Sequence, residues 1–514
     1  MDWEGPRTQP SFATPSIPAL ERRLATNSLA THLYRAVRLV WVALTFPLHL
    51  SLVALSTVPI LPSFLPDALH PAGTNQGWTL PQRVVYPLLR RLIWAVCDVG
   101  SPGTLTPSDA RAVPAWARAL EEFTVRVGGA ARVAVEVEDV ALPEQARRDG
   151  WVQGDVLDPA GIVDFEPVPC FWFERDEATS HSSRRREVSS SSRWSARDKH
   201  ERVIIYFVGG GFVTGNPSEG SRCFKLARET GLRVVGANFR KATTPSQAFP
   251  AALQDALAVY AHVVLELGYG EVLLAGDSAG GSLALMLTQY LATLPSSSSS
   301  SPNTVILPAG LLLISPWSDL TASTYAAASR SRFEDDIICA SMATNSIRSF
   351  LAHVHSPAVR DARGVVAGLE SVFAIGAKHP FLSPALPSAL ASLTRTARAY
   401  LDAAHGGARE ARGSPLRILV TTGSAELFHL EVLRLVDNLR SASRAALVDA
   451  AGTGDRRRRA QAHSSPFEVE LVSEDGEVHA FPLVPEWVSP AAGRAFERIR
   501  EWVREGVERD GRAP

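Results

Sequence analysis

A mostly parallel α/β sheet, covered by helices on both faces, is the fold class this sequence predicts. Three observations carry that prediction. Short apolar runs alternate with helical stretches from residue 202 onward. These runs are apolar on both of their alternating faces, as strands lying between two helix layers must be. One of them, 271–275, passes directly into Gly276-Asp-Ser-Ala-Gly280 and then into an apolar helical run from Gly281. A strand, a sharp glycine-lined turn and a helix would hold Ser278 Oγ clear of the backbone, as a nucleophile requires.

The strands expected in order are 202–208, 232–237, 271–275, 310–315, 417–422 and 467–472. Two more precede them. Residues 131–138 alternate apolar and polar as an edge strand does, and 168–174 form a further apolar run. This opening pair has an antiparallel character. Residues 114–127, ahead of them, read as helical with Pro114 suited to a first turn.

With 514 residues, 46% apolar and 20% charged, the chain can bury a large core, and one long domain with additions accounts for it better than several equal ones. A formal charge of −1 provides no basic field for nucleic acid, so nucleic-acid binding is excluded as a leading function. The four cysteines, Cys97, Cys170, Cys223 and Cys339, have neither zinc nor disulfide-scaffold spacing and are expected as small buried residues, with a bridge between one pair left open. No metal or redox cofactor is called for.

Residues 39–66 contain no Asp, Glu, Lys or Arg and are long enough to cross a bilayer, so they are expected to form a membrane anchor. Arg22, Arg23, Arg35 and Arg38 precede the segment and only Arg83 follows closely, which leaves residues 1–38 as a cytosolic tail and the remainder lumenal. Pro47, His49, Pro59, Pro62 and Pro66 also suit a hairpin entering one leaflet, or a helix packed on the catalytic domain. Residues 67–127 are expected to supply linker and cap helices. Within them, 81–97 mix Trp, Leu and Arg as an interfacial helix or a substrate lid would. The main domain then covers 128–510. Polar insertions near 176–200, 295–303, 404–415 and 452–466 are too rich in Ser and Arg to join a core and are expected as disordered surface loops.

A serine esterase needs a base for the hydroxyl proton, an acid to orient that base, and N–H donors for the oxyanion. His479 follows the last expected strand, and Glu426 follows the strand before it. Serine, acid and histidine thus occur in the chain order of α/β hydrolases. His405 and His463 fall in polar insertions, His429 starts a helix, Glu431 comes more than a helical turn late, and Asp402 lies before the strand. The glycine triplet 209–211 follows the strand at 202–208, and the N–H groups of Gly210, Gly211 and Ala279 are the expected oxyanion hole.

The residues now resemble the hormone-sensitive-lipase-like family of α/β hydrolases, which includes arylacetamide deacetylase and fungal steryl acetyl hydrolase. The resemblance rests on Gly209-Gly-Gly211, Ala248-Phe-Pro-Ala-Ala-Leu-Gln-Asp255, Gly276-Asp-Ser-Ala-Gly-Gly281, Ser315-Pro-Trp-Ser-Asp-Leu320, His379-Pro-Phe-Leu-Ser-Pro384 and His479-Ala-Phe481. It implies an α/β-hydrolase fold with an eight-stranded sheet and an N-terminal helical cap. For members with an anchor it also implies the endoplasmic reticulum. The chain departs from the family at Val208, where a loop-bracing histidine is usual, at Glu426, where Asp is common, and in Phe239-Arg-Lys-Ala-Thr-Thr244. Arg240, Asp255 and Asp319 are expected to be structural.

The function expected is a membrane-anchored serine carboxylic-ester hydrolase acting on lipophilic or acetylated esters through an acyl-enzyme. The rivals are a catalytically silent binding protein on the same fold and an acyltransferase using the same serine.

Overall fold

The computed structural model describes residues 29–56, 78–96, 110–158, 163–176, 194–196, 200–220, 222–294, 305–321, 336–351, 379–403, 415–452 and 465–509, with single positions at 161 and 323. Most of the four polar insertions expected from composition, together with residues 57–66 of the expected anchor, lie outside the described residues.

Eight strands form one sheet: β1 (Val133–Val140), β2 (Val168–Arg175), β3 (Arg202–Phe207), β4 (Arg233–Ala237), β5 (Glu271–Asp277), β6 (Gly310–Ile314), β7 (Leu416–Gly423) and β8 (Phe467–Glu474). Their spatial order is β1-β2-β4-β3-β5-β6-β7-β8. β1 pairs antiparallel with β2, and β2 antiparallel with β4. All later pairs are parallel. The alternating strand β1 is an edge, and β5, apolar between its two terminal carboxylates, is central, with every residue from Glu271 to Asp277 buried. Helices on both faces exclude water from the middle of a parallel sheet, so such strands carry no polar face.

The helices in chain order are α1 (Leu29–Ser56), α2 (Leu80–Val96), α3 (Ala115–Gly128), the short α4 (Glu144–Arg148), α5 (Arg222–Thr230), α6 (Ala251–Ala261), α7 (Ala279–Leu291), α8 (Ala340–Leu351), α9 (Leu390–Ala403), α10 (His429–Gly452) and α11 (Pro490–Arg509). α6 and α7 pack on each other and on the sheet, and every residue of both is buried. Their sequences are apolar on most sides, as helices enclosed by other elements are, with a few buried polar groups such as Gln254 and Asp255. α5 and α11 pack together, against β2 and β4 and against β7 respectively. Of the cysteines, Cys170 and Cys223 are buried and free, and Cys339 is free and half-buried.

One expectation is corrected. Among the described residues no helix is long and apolar enough to cross a membrane. The first part of the expected anchor is instead the second half of α1, which carries Pro47 internally and packs against α2. His49 is buried there, its pKa lowered by burial and by the nearby Arg91. A buried imidazole on one side of the helix makes that side a protein contact rather than a lipid one. The cytosol-to-lumen crossing over 39–66, and the placement derived from it, therefore has no described helix to carry it. The opposite side of α1 exposes a row at helical spacing, Leu33, Val37, Val40, Leu44 and Leu48.

Coverage of the sheet's carboxyl end is also broader than an N-terminal cap. α2 does lie there, as part of a second small core in which Trp78 and Tyr86 pack with Val478, Phe481 and Val488. An internal segment, residues 336–351, forms a further wall that nothing in the residue pattern announced.

Candidate active site

Ser278 occupies the turn from β5 into α7 with φ 53° and ψ −122°, a conformation that costs a non-glycine residue about 1–3 kcal/mol. The surroundings impose it. A Cβ on Gly280 would overlap the Phe207 carbonyl, and one on Gly276 would overlap the Gly280 backbone, so both positions require glycine. The Ser278 N–H donates to the Ile314 carbonyl at 2.9 Å, and its own carbonyl accepts the N–H groups of Ser282 and Trp317, each at 3.1 Å. The backbone of the turn is thus held on three sides while the side chain faces a cavity.

The glycine triplet borders the same cavity. Gly210 and Gly211 have φ of 128° and 62°, and a Cβ on Gly211 would overlap the Ser346 hydroxyl on α8. Where the family has a bracing histidine, Val208 is fully buried. The brace comes from Asp277: its Oδ1 accepts the Gly209 N–H at 2.9 Å and the Tyr206 hydroxyl at 2.6 Å. Ala279, whose N–H follows Ser278, is the first residue of α7, where an N–H lacks an intrahelical partner.

His479 lies in the turn after β8, and Glu426 in the turn after β7. Both are buried, Glu426 completely. His479 Nδ1 stands 3.6 Å from Glu426 Oε2, an ion-pair separation longer than a hydrogen bond, and neither atom has a hydrogen-bond partner among the described residues. Glu426 Oε1 accepts the Thr422 hydroxyl at 2.5 Å. Burial alone would lower the His479 pKa, but Glu426, Asp336 and Asp277 outweigh it and raise it above the ordinary value. The imidazole also meets Phe428 edge to face, with centroids 5.1 Å apart. The two turns touch, since a Cβ on Gly423 would overlap the Glu477 carbonyl.

The cavity holds about 250 Å³ and is lined mainly by apolar groups, among them Ile93, Trp317, Ile338 and Met342. Ser278, His479, Gly210 and Gly211 all border it. None of the described residues set aside from sequence lines the cavity, although His429 shares the Thr422 hydroxyl with Glu426. Glu431 accepts the Ser318 N–H at 2.8 Å, and His429 stands 3.2 Å from the Thr422 hydroxyl. His379 is held against Asp155 at 3.2 Å. Asp402 ends no site-forming strand, and His405 and His463 lie outside the described residues. Arg240 and Asp255 form a buried ion pair at 2.8 Å, and Asp319 accepts the Thr321 N–H at 2.8 Å. Among the described residues no group of three or more His, Cys, Asp or Glu could hold a metal.

Sequence reasoning missed Asp336. It is buried beside the histidine turn, where its carboxylate accepts the His479 and Leu427 N–H groups, each at 2.8 Å. Its neighbours Phe333-Glu-Asp-Asp-Ile337 read as an ordinary polar stretch, and no spacing links them to Ser278 or His479. Asp277 carried a usable signal, because it sits inside the serine turn itself.

The sheet order, the serine turn and the order of the three side chains define an α/β hydrolase. Residues 204–396 match a family described as the alpha/beta hydrolase fold. An acetyl-hydrolase of Streptomyces hygroscopicus is 38% identical over 122 residues, which cover 23% of this chain and 37% of that protein. Arylacetamide deacetylase-like 2 of Homo sapiens is 36% identical over 106 residues, covering 18% of this chain and 25% of that one. The chain therefore spans less than half the length of either relative. Esterase LipW from Mycobacterium marinum aligns with a TM-score of 0.43 at 20% identity, over 79% of this chain and 96% of that structure.

Proposed function

We propose that the protein is a serine carboxylic-ester hydrolase working through an acyl-enzyme. The observation that carries this reading is the strained Ser278 turn opening onto one cavity with His479 and the glycine triplet. Ser278 Oγ attacks the ester carbon as His479 takes its proton. The oxyanion is held by the N–H groups of Gly210, Gly211 and Ala279. His479 then returns the proton to the leaving alcohol, and water, activated by the same imidazole, releases the acid. Glu426 orients the ring and stabilises the imidazolium; its 3.6 Å separation is of the kind that shortens when substrate binds. None of these steps draws on a metal or redox cofactor.

A largely apolar cavity of about 250 Å³ lies below the range of about 300–1,000 Å³ that suits drug-sized ligands, which favours short acyl esters of lipophilic alcohols. The names of the relatives, an acetyl-hydrolase and an ethyl acetate hydrolase, support the same acyl size. Contact with lipid, as a partner, is proposed only as a peripheral one through the exposed row on α1. Vesicle flotation of the full chain tests it, with Leu44→Asp expected to leave the protein at the bottom of the gradient.

A fluorophosphonate probe should label Ser278 of the folded protein, and aryl acetates should be cleaved faster than aryl octanoates. Absence of an adduct on Ser278 would remove the enzyme reading and leave a binding protein on the same fold. An excess of alcohol acceptor that diverts product from free acid to new ester would instead identify an acyltransferase.

A further inference from the structure

Asp336 is fully buried, and it stands where three separate parts of the chain meet. Its Oδ1 accepts the backbone N–H of Ile337 at 2.7 Å and of His479 at 2.8 Å. Its Oδ2 accepts the backbone N–H of Leu427, the residue after Glu426, at 2.8 Å. One carboxylate therefore ties the turn that carries the acid to the turn that carries the imidazole. Its own carbonyl accepts from Arg90 Nη1 of α2 at 2.9 Å. The next two residues, Ile337 and Ile338, line the cavity. A buried ionised carboxylate is tolerated where several N–H groups donate to it, and three donate here.

We propose that Asp336 is a positioning residue for the hydrolytic centre: it holds the His479 and Glu426 turns in register and places a second negative charge beside the imidazole. The proposal rests on the reading of Ser278, His479 and Glu426 as the reacting and orienting groups. The charged groups that bear on Asp336 are His479 and Glu426; Arg90 reaches its carbonyl, and Asp277 acts on the same imidazole from β5. Burial pushes the Asp336 carboxyl up to about 6, opposed by His479 and by the Leu427 and His479 N–H groups, while Glu426 adds to the rise. Ionised Asp336 favours the imidazolium form of His479, and neutralising Asp336 removes that support.

The test uses Asp336→Asn in the full chain. Asparagine keeps one acceptor for Ile337 and His479 but presents an N–H group to the N–H of Leu427, so the register between the turns is lost along with the charge. The expected result is a kcat lower by about 10²-fold with KM changed by less than about threefold. The acid limb of kcat/KM should move to lower pH, because the imidazolium has lost a neighbouring carboxylate. An unchanged acid limb, with activity falling only in proportion to the folded fraction, would make Asp336 a structural residue and overturn the proposal.

Should Asp336→Asn not fold, Asp336→Glu decides: it keeps the charge but lengthens the arm that joins the His479 and Leu427 N–H groups. Fluorophosphonate labelling of folded Asp336→Glu should be slower than wild type across the pH range, whereas labelling at the wild-type rate overturns the proposal. Ser278→Ala, run in parallel, separates the two readings: if it retains ester cleavage, the assignment of the centre fails independently of Asp336.

Discussion

The two sides of the cavity are built by different means. On the serine side a single stretch, β5 through α7, contains the strand, the turn, the nucleophile, the first N–H of the helix and the Asp277 that braces the glycine loop. On the histidine side, residues 336, 426 and 479 come from three distant segments, and a fourth, α2, is laid over them. Trp78 donates to the Gly476 carbonyl at 2.5 Å, while Gln82 and Tyr86 donate to Glu477 at 2.8 and 2.6 Å. The serine side is stiff because steric exclusion leaves its backbone one conformation. The histidine side is held by polar contacts among elements that could otherwise part, so its geometry depends on all of them at once.

That contrast predicts a graded set of losses. Ser278→Ala should have the largest effect, a fall of at least about 10⁴-fold in kcat with an unchanged far-ultraviolet spectrum, measured on an aryl acetate. Glu426→Gln, on the other side, should cost about 10³- to 10⁴-fold, because the ring keeps its place but loses the carboxylate that favours the imidazolium. A variant retaining more than a tenth of the activity would show that Asp336 or Asp277 takes over that role.

Gly211→Ala comes next. Its Cβ must displace the Ser346 hydroxyl from a backbone position at φ 62°, so the loop shifts and kcat should fall by about 10²- to 10³-fold while Ser278 remains labelled by fluorophosphonate. Loss of labelling together with activity would show that the two sides are less independent than their construction suggests.

The smallest effect concerns stability. Asp336 has a folded pKa of about 6 against 3.8 for the ordinary group, so its protonation favours the folded state. That contribution is fully present below about pH 3.8 and is lost as pH rises through about 6. The stability of wild type relative to Asp336→Asn should therefore decline by about 2 kcal/mol between pH 4 and pH 7, read from urea unfolding at matched ionic strength. His479, also raised, acts in the same direction: its contribution is present below its unfolded pKa near about 6.5 and is lost through its higher folded value.

All eight strands were legible to within two residues at each end, β1 by its alternation as an edge and the others mainly as apolar runs, because strands buried between helix layers admit few polar residues. Ser278 was legible because close packing around a tight turn demands glycine on both sides of it. The 39–66 segment misled for a related reason. Hydropathy registers that a helix is apolar but not what covers it, and His49 against α2 answers a question of packing.

By itself the sequence determined the sheet, the serine turn, and the chain order in which serine, acid and histidine occur, since each depends on residues adjacent in the chain or repeated at a strand's or helix's own period. Only the tertiary structure decided that Asp336 joins the acid and histidine turns, that Asp277 stands in for the bracing histidine absent at Val208, and that α2 and residues 336–351 close the cavity. These contacts link residues tens to hundreds of positions apart through single hydrogen bonds, and a hydrogen bond between distant segments leaves no periodicity in the chain to read.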